Sequence, residues 1–182
     1  MTVIVGLEHK GCVYIGGDSA GVAGMQMNIR EDKKVFETGE YIIGCTTSFR
    51  MIDLLKYKLH VNKQEDYVDD IRFMATTFID SVIECFAQNG FGKRSDNDGY
   101  EGGSFLVGYR GKLYSIADDF QVGISAHKYN AVGCGAEIAK GAMFACKIAD
   151  PVKRINVALE AASTFSAGVR PPFHVVMQRA GE

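Results

Sequence analysis

The sequence of 182 residues has no tryptophan, only three prolines and no excess of charge of either sign. Its 20 basic and 22 acidic residues give a formal net charge of -2, which argues against nucleic acid or an anionic membrane as a partner. The scarcity of proline argues against a long disordered arm. The uncharged apolar runs are much shorter than the ~20 residues that cross a bilayer, so we expect no membrane segment.

The N-terminus and the cysteines favour a cytoplasmic protein. Residues 1–8 contain no basic stretch and reach an acidic residue at Glu8, unlike a signal peptide. The five cysteines are odd in number, widely spaced and without a CxxC pair, so disulfides and structural zinc are not expected. The four histidines are scattered, and we predict neither a metal site nor a cofactor. The cysteines are Cys12, Cys45, Cys85, Cys134 and Cys146.

Residues 1–182 are the right length for one domain with a core of its own. Period-two apolar patterns predict strands, and helical spacing predicts helices, in the order of four strands, two helices, several strands, two helices and one strand. Such runs of strands separated by helix pairs predict an α+β domain whose helices lie on the outer faces of sheets. We predict strands at 2–8, 12–19, 33–37, 40–46, 104–109, 112–117, 120–133 and 173–178, helices at 49–59, 66–88, 137–148 and 151–166, and irregular chain at 20–32 and 90–103.

The second residue, Thr2, carries the first indication of chemistry. Because Thr2 is small, we expect Met1 to be removed, which leaves a threonine with a free α-amine. Such a residue combines a hydroxyl nucleophile with its own base. An α-amine titrates near ~7.7–8.0, close to working pH, where a general base is most effective.

Asp18 and Lys34 strengthen this interpretation. Asp18 ends the second predicted strand, so a hairpin of strands one and two would return it beside Thr2. A lysine on the next strand could bring a cation to the hydroxyl, favour its alkoxide and lower the pKa of the amine. Asp18 would then orient and neutralise Lys34.

The chain resembles the N-terminal threonine peptidases, which are the proteasome β-subunits and the bacterial HslV-type peptidase of the Ntn-hydrolase superfamily. The resemblance rests on Thr2 followed by Gly6, Gly-Gly-Asp-Ser at 16–19, Lys-Lys-Val-Phe at 33–36 and Tyr-Ile-Ile-Gly-Cys-Thr at 41–46. It implies a four-layer αββα sandwich along nearly the whole chain. It also implies that Thr2 is the nucleophile, that Lys34 tunes it and that Asp18 holds Lys34.

The resemblance implies three further site residues. Gly44 falls where the family has a glycine whose N–H binds the oxyanion. Cys134, in Gly-Cys-Gly at 133–135, replaces the serine that contacts the N-terminal amine, and a thiol is a weaker donor and acceptor than a hydroxyl. Ser166 corresponds to the serine of an Asp-x-x-Ser motif of the proteasomal members. This chain lacks the aspartate of that motif, and HslV-type members lack it too.

The function implied is hydrolysis of polypeptides through an ester on Thr2, inside a ring-shaped homo-oligomer with an ATP-driven unfoldase as a partner. Ile42 and Thr46 are expected to line the pocket for the substrate side chain. Two alternatives remain open, a catalytically silent scaffold that keeps Met1 and an amidase of the same superfamily acting on small substrates. A thiol nucleophile at Cys45 or Cys134 is a third, although cysteines in such apolar segments are commonly buried.

Overall fold

The computed structural model describes residues 1–94 and 100–180. Its strands are β1 (Val3–His9), β2 (Cys12–Gly17), β3 (Ala20–Ala23), β4 (Gln26–Ile29), β5 (Val35–Thr38), β6 (Tyr41–Cys45), β7 (Lys93–Arg94), β8 (Tyr100–Glu101), β9 (Phe105–Tyr109), β10 (Lys112–Ile116), β11 (Val122–Ile124), β12 (Tyr129–Gly133) and β13 (His174–Arg179). Its helices are α1 (Phe49–Tyr57), α2 (Asp70–Phe73), α3 (Ile79–Gln88), α4 (Ala136–Ala145) and α5 (Pro151–Phe165). A π-helical turn, Met74–Phe78, joins α2 to α3.

Two antiparallel sheets carry the architecture. The first has the strand order β12-β1-β2-β13 and the second the order β11-β10-β9-β6-β5. In the first sheet β1 and β2 form the predicted hairpin, in which Ile4 lies opposite Gly17. Asp18 follows Gly17 directly, so the hairpin returns it to the start of β1, where Thr2 lies.

Among the described residues, three apolar clusters lie between these elements. One joins the first sheet to α4 and α5, with Val5, Ala139 and Leu159 fully buried in it. A second, containing Ile4, Ile15 and Ile42, joins the two sheets. The third and largest joins the second sheet to α1, to α2 and α3 and to the π-helical turn between them. The predicted mixture of sheets and helices is confirmed.

The two sheets approach each other closely at Gly44 in β6. A Cβ atom added there would lie 2.5 Å from Ile4 Cγ2 and 2.7 Å from Ile15 Cγ2, which is far inside van der Waals contact. Glycine is therefore required at this position by the packing of the sheets.

The structure differs from the sequence prediction in four segments. The stretch 20–32, predicted to be irregular, contains the hairpin of β3 and β4, whose largely exposed residues lack the alternation by which strands are recognised. The single strand predicted at 120–133 is divided into β11 and β12. The long second helix begins at Asp70, because the Asp69 side chain caps it by accepting from Arg72 N at 3.0 Å. Within the predicted loop 90–103, β7 pairs with β8, and positions 95–99 lie outside the described residues.

No helix among the described residues is both long enough and apolar enough to traverse a bilayer.

We predict that Gly44→Ala destabilises the fold by about 1–3 kcal/mol, because the added methyl group overpacks the space between the sheets. Urea denaturation of the variant measures this loss. The matched control is Gly141→Ala in α4, where an added Cβ meets nothing within 4 Å and alanine should stabilise the helix by up to about 1 kcal/mol. Equal stability of both variants and the parent chain would contradict the packing described.

Candidate active site

Thr2 lies just before β1 and is only 3% exposed. It is held between two neighbouring strands, because Val3 pairs with Gly133 of β12 on one side and Ile4 pairs with Gly17 of β2 on the other. The Thr2 carbonyl also accepts a hydrogen bond from Gly135 N at 3.3 Å. These contacts fix the backbone from which the hydroxyl projects.

The Asp18 carboxylate is fully buried and collects hydrogen bonds from several parts of the chain. Its Oδ1 accepts from Thr2 Oγ1 at 3.1 Å, from Val3 N at 3.1 Å and from Lys34 Nζ at 2.8 Å. Its Oδ2 accepts from Ala20 N at 2.9 Å and from Arg170 N at 3.3 Å. A buried charge needs such compensation, so Asp18 is held in one orientation.

Lys34 stands immediately before β5, and its side chain is 3% exposed. Its Nζ donates to Asp18 Oδ1 and to Thr2 Oγ1, so one ammonium group contacts both the carboxylate and the hydroxyl. Burial lowers the pKa of Lys34, and the charge and hydrogen bond of Asp18 oppose that shift. A cation in contact with a hydroxyl oxygen stabilises negative charge that develops on it.

Cys134 and Ser166 lie at the nitrogen of Thr2. Thr2 N donates to Cys134 Sγ at 3.2 Å, and Ser166 Oγ lies 3.5 Å from that sulfur. While Met1 is attached, this nitrogen belongs to a resonance-stabilised amide and cannot serve as a base. Loss of Met1 would convert the same atom into an amine with the thiol beside it.

The structure therefore brings together all of the predicted site residues except Gly44. In the pairing of β6 with β9, Gly44 lies opposite Leu106. Two residues further along the chain, Thr46 N donates to Ser104 O of the same neighbouring segment at 3.2 Å. Because alternate residues of an antiparallel strand face the same neighbour, the N–H of Gly44 faces β9 and not Thr2.

Thr47 is a site residue that the sequence did not indicate. It follows β6 and has a φ of +63°, a conformation that is uncommon outside glycine, asparagine and aspartate. It lies in the lining of the cavity beside Thr2. Among the hydrogen bonds of the described part of the chain, none uses its backbone N–H as donor.

A cavity of about 70 Å³ adjoins Thr2 and Lys34. Thr46 lies in its wall as expected, whereas Ile42 is buried in the cluster between the two sheets. The remaining lining comes from the N-terminus, from β3, from the end of β6 and from the start of α1. The lining residues are Met1, Thr2, Val22, Lys34, Cys45, Thr46, Thr47, Ser48, Phe49 and Ile52.

Within residues 1–94 and 100–180, no three histidine, cysteine or acidic side chains converge as metal ligands would. The five cysteines, all of which lie in this part of the chain, are free thiols. Cys45 is completely buried and burial raises its pKa, which opposes formation of a nucleophilic thiolate there.

The sequence matches no known family profile and no curated protein, but solved structures share its fold. BPH of Thiobacillus denitrificans, solved in complex with epoxomicin, matches over 100% of both chains with a TM-score of 0.80 and 16% identity. HslV of Trypanosoma brucei matches over 98% of this chain and 99% of its own, with a TM-score of 0.66 and 17% identity. The Anbu complex of Pseudomonas aeruginosa, which forms a helical assembly, matches over 98% and 81% with a TM-score of 0.67 and 16% identity. The predicted resemblance to the proteasome-like Ntn hydrolases is thus confirmed for the fold.

We predict that Asp18→Asn destabilises the protein by about 3–5 kcal/mol, because it leaves the buried ammonium of Lys34 without a counter-charge. Chemical denaturation of the purified variant measures the change. The matched control is Asp32→Asn, which removes the carboxylate of the exposed pair with Arg30 and should cost at most about 1 kcal/mol. Similar losses from the two substitutions would be inconsistent with a buried ion pair at Asp18.

Proposed function

We propose that the chain is a threonine-type peptidase subunit of the proteasome-like Ntn hydrolases, that it forms a four-layer αββα sandwich, and that Thr2 becomes its nucleophile when Met1 is removed. One observation carries the proposal: a single buried ammonium group, that of Lys34, contacts both the hydroxyl of Thr2 and the carboxylate of Asp18. The likeness of the whole fold to BPH and HslV supports it.

The first step of the proposed reaction forms an ester. Thr2 Oγ1 attacks the carbonyl carbon of the scissile peptide bond, and its proton passes to the α-amine of Thr2 directly or through water. The Lys34 ammonium stabilises the negative charge that develops on Oγ1. The amine then returns the proton to the leaving nitrogen as the C–N bond breaks, which leaves the acyl group on Thr2.

We propose that the N–H of Thr47, and not that of Gly44, binds the oxyanion. Thr47 lies beside the cavity and its N–H has no partner among the described residues, whereas the N–H of Gly44 is directed at β9. A backbone donor of this kind typically accounts for about 10²–10³ in rate. Water activated by the same amine would hydrolyse the ester and regenerate Thr2.

Cys134 and Ser166 have a positioning role in this proposal. Cys134 Sγ lies 3.2 Å from the nitrogen of Thr2, and Ser166 Oγ lies 3.5 Å from that sulfur. The thiol would fix the direction of the amine lone pair, and Ser166 would fix the thiol. Because sulfur is a weak donor and acceptor, this contact is less effective than that of a hydroxyl.

We further propose that the substrate is an extended polypeptide and that the subunits form a ring-shaped homo-oligomer in the cytoplasm, supplied by an ATP-driven unfoldase. An extended chain can be held by main-chain hydrogen bonds with little demand on sequence. An unenclosed peptidase would degrade its surroundings, and assembly would confine the sites. Native mass spectrometry that shows only monomers would contradict the ring.

The proposal predicts that the purified chain begins at Thr2 and cleaves fluorogenic peptides. Intact mass tests the loss of Met1, and we expect Thr2→Ala to abolish turnover while Thr2→Ser keeps a large part of it, because serine preserves the hydroxyl. Epoxomicin, with which BPH forms a complex, should inhibit the active chain.

Other outcomes of these assays identify the alternatives. Retained Met1 with no turnover would indicate the silent scaffold. Turnover of small amides without cleavage of peptides would indicate the amidase. Turnover that survives Thr2→Ala but is lost in Cys134→Ser would assign the chemistry to the thiol.

A second prediction concerns the Cys134 contact. We expect Cys134→Ala to lower kcat by roughly 3–10-fold, the value of about one hydrogen bond, and Cys134→Ser to retain at least the parent activity. Cys146→Ser, at a half-buried cysteine just beyond α4, is the control and should leave kcat unchanged. Full activity in Cys134→Ala would show that the thiol does not position the amine.

A further inference from the structure

Arg170 lies in the segment between α5 and β13, and its backbone is bonded to the residues that follow β2. Its N–H donates to Asp18 Oδ2 at 3.3 Å, and its carbonyl accepts from Ser19 N at 2.9 Å. A further bond joins the same two segments, since the Ser19 hydroxyl donates to the carbonyl of Pro172 at 2.7 Å. The backbone of Arg170 is therefore fixed beside the carboxylate that holds Lys34.

The side chain of Arg170 extends from this position to the C-terminal end of α5. Its Nη1 donates to the carbonyl oxygens of Ser163 at 3.2 Å, Ser166 at 3.0 Å and Val169 at 2.6 Å. The last carbonyl groups of a helix have no partner within it, and a cation at this end also interacts favourably with the helix dipole. Arg170 thus stabilises the end of α5 and the turn that follows it.

The guanidinium of Arg170 interacts with carbonyl groups and not with a carboxylate side chain. None of the ion pairs found among the described residues includes Arg170. The residue is half-buried and lies outside the lining of the cavity beside Thr2. Its side chain can therefore influence the site through the segment of chain that it holds.

Ser166 is the residue through which this side chain reaches the active site. Val169 N donates to Ser166 O at 3.3 Å, which closes a tight turn, and Arg170 Nη1 donates to the same oxygen. The hydroxyl of Ser166 lies 3.5 Å from Cys134 Sγ, and that sulfur accepts from Thr2 N. Because the turn sets the position of Ser166, the guanidinium also fixes the hydroxyl beside the thiol.

We infer, on the basis of the proposed function, that Arg170 is a positioning residue of the peptidase. Its guanidinium holds Ser166 in the orientation that keeps the thiol of Cys134 beside the amine of Thr2. The same residue is bonded through its backbone to Asp18. One turn of the chain therefore supports both the carboxylate and the amine contact of the site.

The first test measures peptide turnover by the processed chain. Arg170→Met removes the donors but keeps much of the length of the side chain, and we expect it to lower kcat by roughly 3–10-fold, as for the loss of a single hydrogen bond. KM should not change, because Arg170 lies outside the cavity. Arg170→Lys keeps a cationic donor and should recover most of the loss. A kcat equal to that of the parent in Arg170→Met would overturn the inference.

A double-mutant cycle tests whether Arg170 acts through Ser166. Ser166→Ala alone should lower kcat to a similar level, and Arg170→Met should have no further effect on kcat in that background. Losses that multiply in the double variant would mean that the two side chains act independently, which would also overturn the inference.

Arg154→Met is the matched control. Arg154 lies in α5, and its Nη2 donates to Met143 O at 2.6 Å, near the end of α4. Its replacement should lower the melting temperature to an extent similar to that of Arg170→Met but leave kcat unchanged. An equal loss of kcat in both variants would attribute the effect to stability and contradict the positioning role. If Arg170→Met fails to fold, Arg170→Gln, which keeps one amide donor group, replaces it.

Alkylation of Cys134 separates this inference from the proposed function. Cys134 is exposed, and peptide mass analysis measures its rate of reaction with iodoacetamide whether or not the chain cleaves substrate. Arg170→Met should raise this rate by at least about 2-fold, because the thiol loses its fixed neighbour and becomes more accessible. The half-buried Cys146 in the same sample should react as it does in the parent.

The two measurements fail separately. Thr2-dependent cleavage with alkylation and kcat both unchanged in Arg170→Met would refute the role of Arg170 alone. A raised alkylation rate in a chain without Thr2-dependent cleavage would refute the peptidase alone.

Discussion

The buried contact between the Lys34 ammonium and the Asp18 carboxylate is the interaction on which the rest of the site depends. Neither charge can be buried alone at acceptable cost, and the chain brings donors to Asp18 from several separate segments. It does so from the start of β1, from the chain after β2 and, across more than 150 positions, from Arg170 before β13. The arrangement that supplies hydrogen bonds to the Asp18 carboxylate also places the Thr2 hydroxyl in contact with the Lys34 ammonium group.

The two sheets supply the frame for this contact. β1 and β2 belong to the first sheet, while β5 and β6 belong to the second, so Thr2 and Asp18 adjoin one sheet and Lys34 adjoins the other. Their meeting requires the sheets to lie close together, and the absence of a side chain at Gly44 permits that approach. The close approach of the two sheets at Gly44 therefore also brings the residues of the site together.

Much of this site could be predicted from the sequence because it depends on a local hairpin. The glycine at 11, with a φ of +75°, turns β1 into β2, and the length of the hairpin then places Asp18 beside Thr2. Lys34 was predicted from its spacing and from the resemblance. The contact of Cys134 with Thr2, 132 positions apart, was expected through the resemblance alone, because sequence spacing carries no information about such a separation.

The other features of the site and fold could not be predicted from the sequence. They depend on the conformation of the backbone, which residue types do not reveal. Gly44 was implied as the oxyanion donor by the resemblance alone, yet its N–H faces β9, and the positive φ occurs three residues later, at Thr47. The hairpin of β3 and β4 was missed because its strands are short and largely exposed. The N–H of Arg170 reaches Asp18 across 152 positions, a contact that only the tertiary structure establishes.

The most direct test of the account is to identify the atom that carries the acyl group during turnover. A slowly hydrolysed peptide ester, quenched in acid before the reaction is complete and followed by fragment mass analysis, measures this. If Thr2 is the nucleophile, the added acyl mass lies on the fragment that begins with Thr2. Acyl mass on the fragment containing Cys134 or Cys45 instead would contradict that role of Thr2.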